Sequence, residues 1–273
     1  MANREHLALL QQGAVKWLEW RKKNIHIKPD LSEANLTGTH LRGIDLSNAK
    51  LIAANLAKAN LSTANLYKAE LIDANLQEVE LIDAKLIETQ LMAADLSNAN
   101  LIGADLRGSN LRRADLSHAN LIATELGGAN LRECDLSGAN LRRTSLGYAN
   151  LMAANLSNAD LSDANLYEAE LIEAYLYRAN FHKVNLSDAH LGGAYIFAAN
   201  FSEANLYRAD FRWANLSKAN FTGANLSKTN FRGANLSKAN FTGANLSQAN
   251  LDEANLSKAN FQGAIVPDGT IHC

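Results

Sequence analysis

The segment from Phe221 to Asn250 reads FTGANLSKTNFRGANLSKANFTGANLSQAN, with Phe or Leu at every fifth residue. The same spacing runs without a slip from Leu31 to Phe261, where all 47 such positions hold Leu, Phe or Ile. Five residues advance an α-helix by about 500°, and an odd spacing alternates between the two faces of a strand. Because neither element could bury all of these residues on one face, the period predicts a solenoid with five-residue sides.

The other positions of each five-residue unit are also constrained. The residue two places before the Leu or Phe is usually Ala, and the residue between them is most often Asn or Asp. We expect the Leu or Phe to point inward and the small residue to fill a tight corner. The Asn or Asp fits a turn, since its side chain bonds nearby backbone N–H groups and it tolerates unusual dihedral angles.

Variation between the units shows a second period, of twenty residues. Phe recurs at 181, 201, 221, 241 and 261, and Lys recurs at 218, 238 and 258. This period predicts four units per coil, although duplication of twenty-residue blocks would leave the same trace. About 12 coils at the strand spacing of about 4.8 Å give a rod roughly 55 Å long. Phe221, Phe241 and Phe261 are expected to form an aromatic spine inside it, with Phe211 and Phe231 opposite.

We expect three parts in the chain: residues 1–29 as a cap and linker, residues 30–264 as the repeats, and residues 265–273 as a C-terminal tail. Residues 3–23 predict one amphipathic helix that covers the apolar interior and strand edges at the N-terminal end. Its apolar side is formed by Leu7, Leu10, Ala14, Trp17 and Leu18. The tail is a thinner lid, so end-to-end pairing is expected at the C-terminal end, and the choice between a monomer and an end-to-end dimer stays open.

Composition limits the partners and the compartment. The net charge of −2 gives no overall attraction to nucleic acid or to anionic membranes, so direct nucleic-acid binding is not expected. No run of 18 apolar residues occurs, and the apolar stretch near the N-terminus is interrupted, which predicts neither membrane insertion nor a signal peptide. Cys134 and Cys273 fit no metal or redox spacing, so a reducing cytoplasm is expected. Cys134 occupies a small-residue position and is expected to be a buried substitute for Ala.

The A(N/D)LXX units resemble those of the pentapeptide repeat proteins. The resemblance covers about 230 of the 273 residues, and both flanking segments look like those of cyanobacterial members. It implies an all-β solenoid, a right-handed quadrilateral β-helix, with an N-terminal α-helical cap. The best-understood members resemble B-form DNA in charge and shape and bind DNA gyrase, whereas many others have no known target. The family therefore implies a fold but not a function.

A DNA mimic needs a continuous acidic surface. Residues 31–170 carry 18 acidic and 11 basic side chains, a net charge of −7, whereas residues 171–273 carry 7 and 9, a net charge of +2. Asp95, Asp115 and Asp135 should stack as an acidic ladder that either caps its own turns or holds a cation. Six arginines interrupt the acidic surface: Arg107, Arg112, Arg113, Arg132, Arg142 and Arg143. We therefore predict a protein-binding or scaffold rod, with a DNA-mimic regulator of gyrase or another topoisomerase as the alternative.

Apolar residues at outward positions are the candidate partner surfaces. One apolar column consists of Ile52, Ile72 and Met92, and a second, on the opposite side, consists of Ile82, Ile102 and Ile122. The columns indicate either a partner surface or β-branched residues that stabilise the ladder by stacking on each other. Our first choice for partner contact is a cluster on one side of two successive coils, at places where serine otherwise stands: Tyr175, Tyr177, Tyr195 and Phe197.

No pattern in the sequence indicates catalysis. The seven histidines are scattered, no Gly-rich phosphate loop follows a strand, and no serine lies in a nucleophile elbow. A smooth rod also offers no deep pocket. We therefore predict a protein that is not an enzyme and that uses no cofactor or metal.

Overall fold

The computed structural model describes residues 1–272, which form two short helices followed by a right-handed quadrilateral β-helix. Helix α1 spans Arg4–Gln11 and helix α2 spans Ala14–Lys23. Single-residue parallel bridges then run from Asp30↔Lys50 to Asn245↔Ile265, and an antiparallel bridge joins Ile265 to Ile271 in the tail. Neither helix has the length and apolar character needed to cross a membrane.

The parallel bridges all join residues twenty positions apart, so four units make one coil and the rod has four sides. This confirms the predicted number of units per coil. We number the sides by the central residue of their first unit: the first side begins at Leu31, the second at Leu36, the third at Leu41 and the fourth at Leu46.

Each unit consists of a β-bridge and a tight turn. In the unit Ala54–Lys58, the small residue and the central Leu56 are buried, and the bridge residue between them pairs with the neighbouring coils. The Leu56 carbonyl accepts a hydrogen bond from the Ala59 N–H at 3.0 Å, which closes a four-residue turn. The second turn residue, Lys58, has φ of 58°, whereas the first does not have a positive φ, as in a type II turn.

The bridge residue does not carry the unusual dihedral angles, and in this respect the sequence-based prediction for Asn and Asp was wrong. Positive φ occurs instead at the second turn residue, which is usually charged, Gly or Ala. The side chain does act as predicted: Asn55 Oδ1 accepts a hydrogen bond from the Ala57 N–H at 3.1 Å. Because the bridge residue is held in the ladder, the chain turns the corner after the central residue and not before it.

The interior is a stack of equivalent residues. The rings of Phe181, Phe201, Phe221, Phe241 and Phe261 are nearly parallel on the third side, with centroids 4.8 to 5.2 Å apart. Phe211 and Phe231 stack on the opposite, first side at 5.3 Å and meet the spine edge-on at 6.0 Å. The predicted aromatic spine and its opposing pair are therefore both present. Burial of each central side chain stabilises the folded state by about 1.5–3 kcal/mol, without counting the loss of conformational entropy.

The N-terminal cap contains two helices, so the prediction of a single helix over residues 3–23 was wrong. Gly13 separates the helices with φ of 100°, in the left-handed region that favours glycine. The change of direction allows both Leu10 and Trp17 to be buried against the first coils. Leu7 and Leu18, which the single helix placed on the buried side, are only half-buried.

The cap also replaces a missing coil with side-chain donors. Trp17 Nε1 donates to the Asp45 carbonyl at 2.7 Å, and Arg21 Nη2 donates to the Ser47 carbonyl at 3.0 Å. In later coils of the fourth side, the corresponding carbonyls accept from backbone N–H groups of the preceding coil. The contacts of Arg21 with the first coil leave it only 4% exposed. The sequence alone shows it only as one of three basic residues in the last turn of helix α2.

Replacing Arg21 by Met is expected to lower the free energy of unfolding by about 2 kcal/mol, because the Ser47 carbonyl loses a charged donor. Urea unfolding followed by circular dichroism measures the change. Lys22→Met is the matched control, since Lys22 is exposed on the same helix. Equal unfolding midpoints for the two variants would contradict the assigned role of Arg21.

Candidate functional site

Four aromatic side chains meet on the second side of the rod, across two adjacent coils. We call Tyr175, Tyr177, Tyr195 and Phe197 the aromatic patch. Tyr175 and Tyr195 stack with ring centroids 5.0 Å apart and planes 7° apart, and Tyr177 and Phe197 stack at 5.9 Å and 8°. The three tyrosines are 41–53% exposed and Phe197 is half-buried. The structure thus brings together all four residues that the sequence grouped.

The patch replaces residues that the coil normally uses for turns. Tyr177 and Phe197 stand where serine is usual, but Tyr175 and Tyr195 stand at bridge positions, not at serine positions as the sequence analysis had it. One coil earlier on this side, Asn155 Oδ1 accepts a hydrogen bond from the backbone two residues on, at 3.1 Å. Tyrosine has no side-chain oxygen within reach of that N–H. Each tyrosine therefore replaces a turn hydrogen bond worth about 0.5–1.5 kcal/mol.

The two edges of the patch differ in charge. At the edge toward the third side, the Arg178 guanidinium lies 5.2 Å from the centroid of the Tyr177 ring, and Lys218 Nζ lies 5.0 Å from that of Phe197. At the edge toward the first side, the second turn residues are acidic or aromatic, at Glu173 and Trp213. The patch is therefore bordered by cations on one edge and by a carboxylate and an indole on the other.

A notch of about 510 Å³ lies around that corner, on the first side. Gly192 and Gly193 occupy both turn positions of one unit there, so no side chain fills the space between the preceding and following coils. A second depression, of about 390 Å³, continues from Gly193 past Glu173 and Trp213 to Tyr175 and Tyr195. The notch and the aromatic patch are therefore one continuous surface.

Sequence reasoning missed the notch. The available signals were Trp213, which is the single tryptophan within the repeat units, and the Gly192–Gly193 pair. These residues belong to neighbouring coils of the first side, whereas the aromatic patch belongs to the second side. Columns of a single side are related by the five- and twenty-residue periods, whereas the notch and the patch meet at a corner between two sides, which the periods alone do not indicate.

The two apolar columns lie where they were predicted, on the first and third sides. Their members are half-buried, and none is strongly exposed: Ile52, Ile72, Met92, Ile82, Ile102 and Ile122. A shallow depression of about 250 Å³ borders the end of the first column beside Met92. Whether the columns contact a partner or only stack within the ladder stays a prediction.

The acidic ladder is formed as predicted, because Asp95, Asp115 and Asp135 are consecutive bridge residues. Each carboxylate accepts a hydrogen bond from the backbone N–H two residues on, at 2.8 to 3.0 Å. Within residues 1–272, no group of three His, Cys, Asp or Glu side chains is placed to hold a metal ion. The geometry supports turn capping by these carboxylates.

Cys134 is buried at a small-residue position, as predicted. Burial raises the pKa of its thiol to about 12, and Sγ donates to the Leu111 carbonyl at 2.7 Å. Thr124 makes the equivalent bond to the Leu101 carbonyl at 2.8 Å. The thiol is therefore a neutral structural donor and not a nucleophile.

The model of the family described as pentapeptide repeats matches the chain in eight copies, between residues 30 and 266. The chain belongs to the pentapeptide repeat family. The matched segments are 30–66, 74–113, 89–126, 109–147, 119–158, 154–193, 194–233 and 234–266. They include both the aromatic patch and the notch. Family membership gives the coil but says nothing about the residues on its outer surface.

This chain is similar to several solved structures of pentapeptide repeat proteins. HetL, involved in heterocyst differentiation regulation in the cyanobacterium Nostoc, is 35% identical over 89% of this chain and 91% of its own, with a TM-score of 0.30. QnrB1, a plasmid-mediated fluoroquinolone resistance protein, in a trypsin-treated form, is 19% identical over 64% of this chain and 85% of its own, with a TM-score of 0.51. A protein of the Arabidopsis thaliana thylakoid lumen is 28% identical over 42% of this chain and 67% of its own, with a TM-score of 0.22. A comparison with curated protein sequences finds no match.

The buried thiol of Cys134 predicts a pH dependence of stability. Its pKa rises from 9.0 to about 12 on folding, so above pH 9 the unfolded chain loses a proton that the folded chain keeps. Stability must then fall as pH rises, and Cys134 should contribute a loss of about 1.4 kcal/mol between about pH 8 and about pH 10. Urea unfolding of a Cys273→Ser protein, with and without Cys134→Ala, measures this loss. Identical pH dependence in both proteins would show that Cys134 does not titrate as described.

Proposed function

We propose that this pentapeptide repeat protein is a non-enzymatic rod that binds another protein through the aromatic patch. One observation carries the proposal: four aromatic side chains are stacked on the outer surface at positions where the coil needs only Asn and Ser. Each tyrosine costs the coil a turn hydrogen bond, and the ring stacking returns a free energy of similar size, so the four residues bring no large net gain in folding stability. Binding gives them a role, because exposed aromatic residues, Tyr and Trp above all, supply much of the binding free energy at many protein interfaces.

The rod gives such a patch a low entropic cost of binding. Stacking fixes each ring against its neighbour, and the backbone beneath is held by the ladder, for example by the 2.8 Å hydrogen bond from the Leu176 N–H to the Tyr195 carbonyl. Side chains that are ordered before binding lose little rotamer freedom when a partner covers them. A flat, rigid, aromatic surface therefore favours a folded protein surface as the partner. A scaffold role would add a second partner, for which the apolar columns are the candidate surface.

The chemistry of the described residues favours binding over catalysis. The thiol of Cys134 is neutral and buried. In the notch, His190 Nδ1 lies 2.8 Å from Glu170 Oε1, and Arg212 pairs with Asp210 at 2.6 Å. Most of the titratable groups there are thus engaged with each other, and the notch is open along one side of the rod, whereas catalysis usually needs a concave site that excludes water.

The DNA-mimic alternative has less support. The acidic ladder uses its carboxylates to cap turns, and on the fourth side Arg107 makes a two-pronged contact with Asp105 through Nε at 2.8 Å and Nη2 at 2.6 Å. The side-chain hydrogen bond from Arg107 lowers the pKa of Asp105, so both groups stay charged and cancel each other's field. The likeness to QnrB1 shows the fold alone and does not favour the same target.

We also propose that the protein acts in the cytoplasm, as a monomer or as an end-to-end dimer. The free thiol of Cys134 supports the compartment. The dimer is supported by the C-terminal end of the rod, where the central residues Leu251, Leu256 and Phe261 are only partly buried. A second copy could cover them.

Restoring the family residues in the patch should abolish partner binding without weakening the fold. The variant carries Tyr175→Asn, Tyr177→Ser, Tyr195→Asn and Phe197→Ser, which return two turn acceptors to the coil. The matched control removes outward tyrosines of the fourth side with Tyr67→Ser, Tyr167→Ser and Tyr207→Ser. We expect cross-linking in an extract of the source cells, followed by quantitative mass spectrometry, to recover a partner protein with the wild type and with the control. The amount of this partner should be at least about tenfold lower with the patch variant. Identical partner lists for all three proteins would overturn the proposal.

A further inference from the structure

The notch beside the aromatic patch has the shape of a pocket for one long side chain. Gly192 and Gly193 form the floor of the notch, and the space is present because neither of these turn residues has a side chain. A Cβ built on Gly193 would meet only Glu173 Cγ at 3.7 Å, and one on Gly192 only the Arg212 carbonyl at 3.7 Å. The space is therefore accessible from outside and is not taken up by the protein's own packing.

The direction of the Trp213 side chain leaves the notch open. Its indole lies over Gly233, the next residue of the same column, where an added Cβ would overlap the ring. Trp213 therefore leans toward the following coil and away from Gly193, while 63% of it stays exposed. An indole in this position presents an aromatic wall to whatever enters the notch.

Carboxylates form much of the remaining wall, together with Ile172 and His190. Glu170, Glu173 and Asp210 all line the notch, and the one arginine there, Arg212, is engaged by Asp210 through Nε and Nη2. Glu173 has no salt-bridge partner among residues 1–272, and it borders both the notch and the depression that leads to the tyrosines. The space is therefore bordered by an excess of negative charge beside an exposed aromatic ring.

We propose that the notch binds an arginine side chain of the protein that covers the aromatic patch. A guanidinium is flat, so it can stack on the Trp213 indole, and its N–H fork matches the free carboxylate of Glu173. A neutral side chain would leave that carboxylate without a partner, and an acidic one would be repelled by it. The inference rests on the proposed function, because the patch and the notch would then contact the same partner across one corner of the rod.

A small probe tests the notch without the partner. In the ¹⁵N-labelled full chain, the indole N–H signal of Trp213 is assigned by its absence in Trp213→Phe. We expect N-acetyl-arginine amide to shift this signal, with a change that saturates as the probe concentration rises. The neutral isostere N-acetyl-citrulline amide should cause no such change. N-acetyl-lysine amide should bind at least about threefold more weakly, because an ammonium cannot stack flat. A citrulline or lysine probe that binds as well as the arginine probe would overturn the inference.

Two variants and one control locate the binding. Gly192→Ile places in the notch the residue that stands one coil earlier at Ile172, and it should abolish saturation while the melting temperature is kept. Glu173→Gln should weaken the arginine probe about fivefold. Glu133→Gln is the matched control on the same column, where Glu133 is paired with Arg112 and Arg132, and it should change nothing.

The outcomes separate this inference from the proposed function. Unchanged probe binding in Gly192→Ile and Glu173→Gln, or no saturable shift in wild type, would overturn the arginine site. The partner experiment with the patch variant does not depend on that result. Loss of the cross-linked partner in the patch variant, but not in Gly192→Ile, would keep the aromatic patch as the binding surface and reject the notch.

Discussion

One hydrogen bond, repeated along the rod, determines the architecture. From Leu31 to Leu246, the N–H of the central residue donates to the carbonyl of the bridge residue nineteen positions on, as from Leu51 to Glu70 at 2.7 Å. The chain can make this bond only if it returns to the same side after twenty residues, which requires four turns. Each turn places its second residue at positive φ, at a cost of about 1 kcal/mol when that residue is not glycine. Burial of the central Leu or Phe, together with the ladder, offsets that cost.

This constraint separates the residues that build the rod from those that are free to vary. The central and small positions are buried in nearly every unit, and the bridge residue supplies the side-chain acceptor for the turn. The two turn positions face solvent and tolerate many residue types. Around Tyr175, even bridge positions depart from the usual residues, and the change coincides with the Gly192–Gly193 notch and with Trp213. The departures from the family residues are therefore concentrated at this one corner of the rod, across three neighbouring coils.

The sequence was sufficient for features that depend on one column of the rod. The inward Leu and Phe, the twenty-residue coil, the Phe221 spine and the stacked Asp95 ladder follow from periodicity, because residues twenty apart are neighbours in space. Features that depend on the backbone outside the repeat, or on the corner between two sides, were not predictable in this way. The break at Gly13 depends on a fit between the cap and the first coil, and Arg21 is buried because the fourth side lacks donors there. The notch depends on the direction of the Trp213 side chain, which the period does not specify.

The rise of the coil tests the account most directly. Spin labels at Lys258 and, in turn, at Arg178, His118 and Lys58 lie on one column of the second side, in a Cys273→Ser background where the buried Cys134 is not labelled. Electron–electron distances should increase by about 4.8 Å for every twenty residues, to about 19, about 34 and about 48 Å. Distances that do not scale with the number of twenty-residue coils would contradict the account.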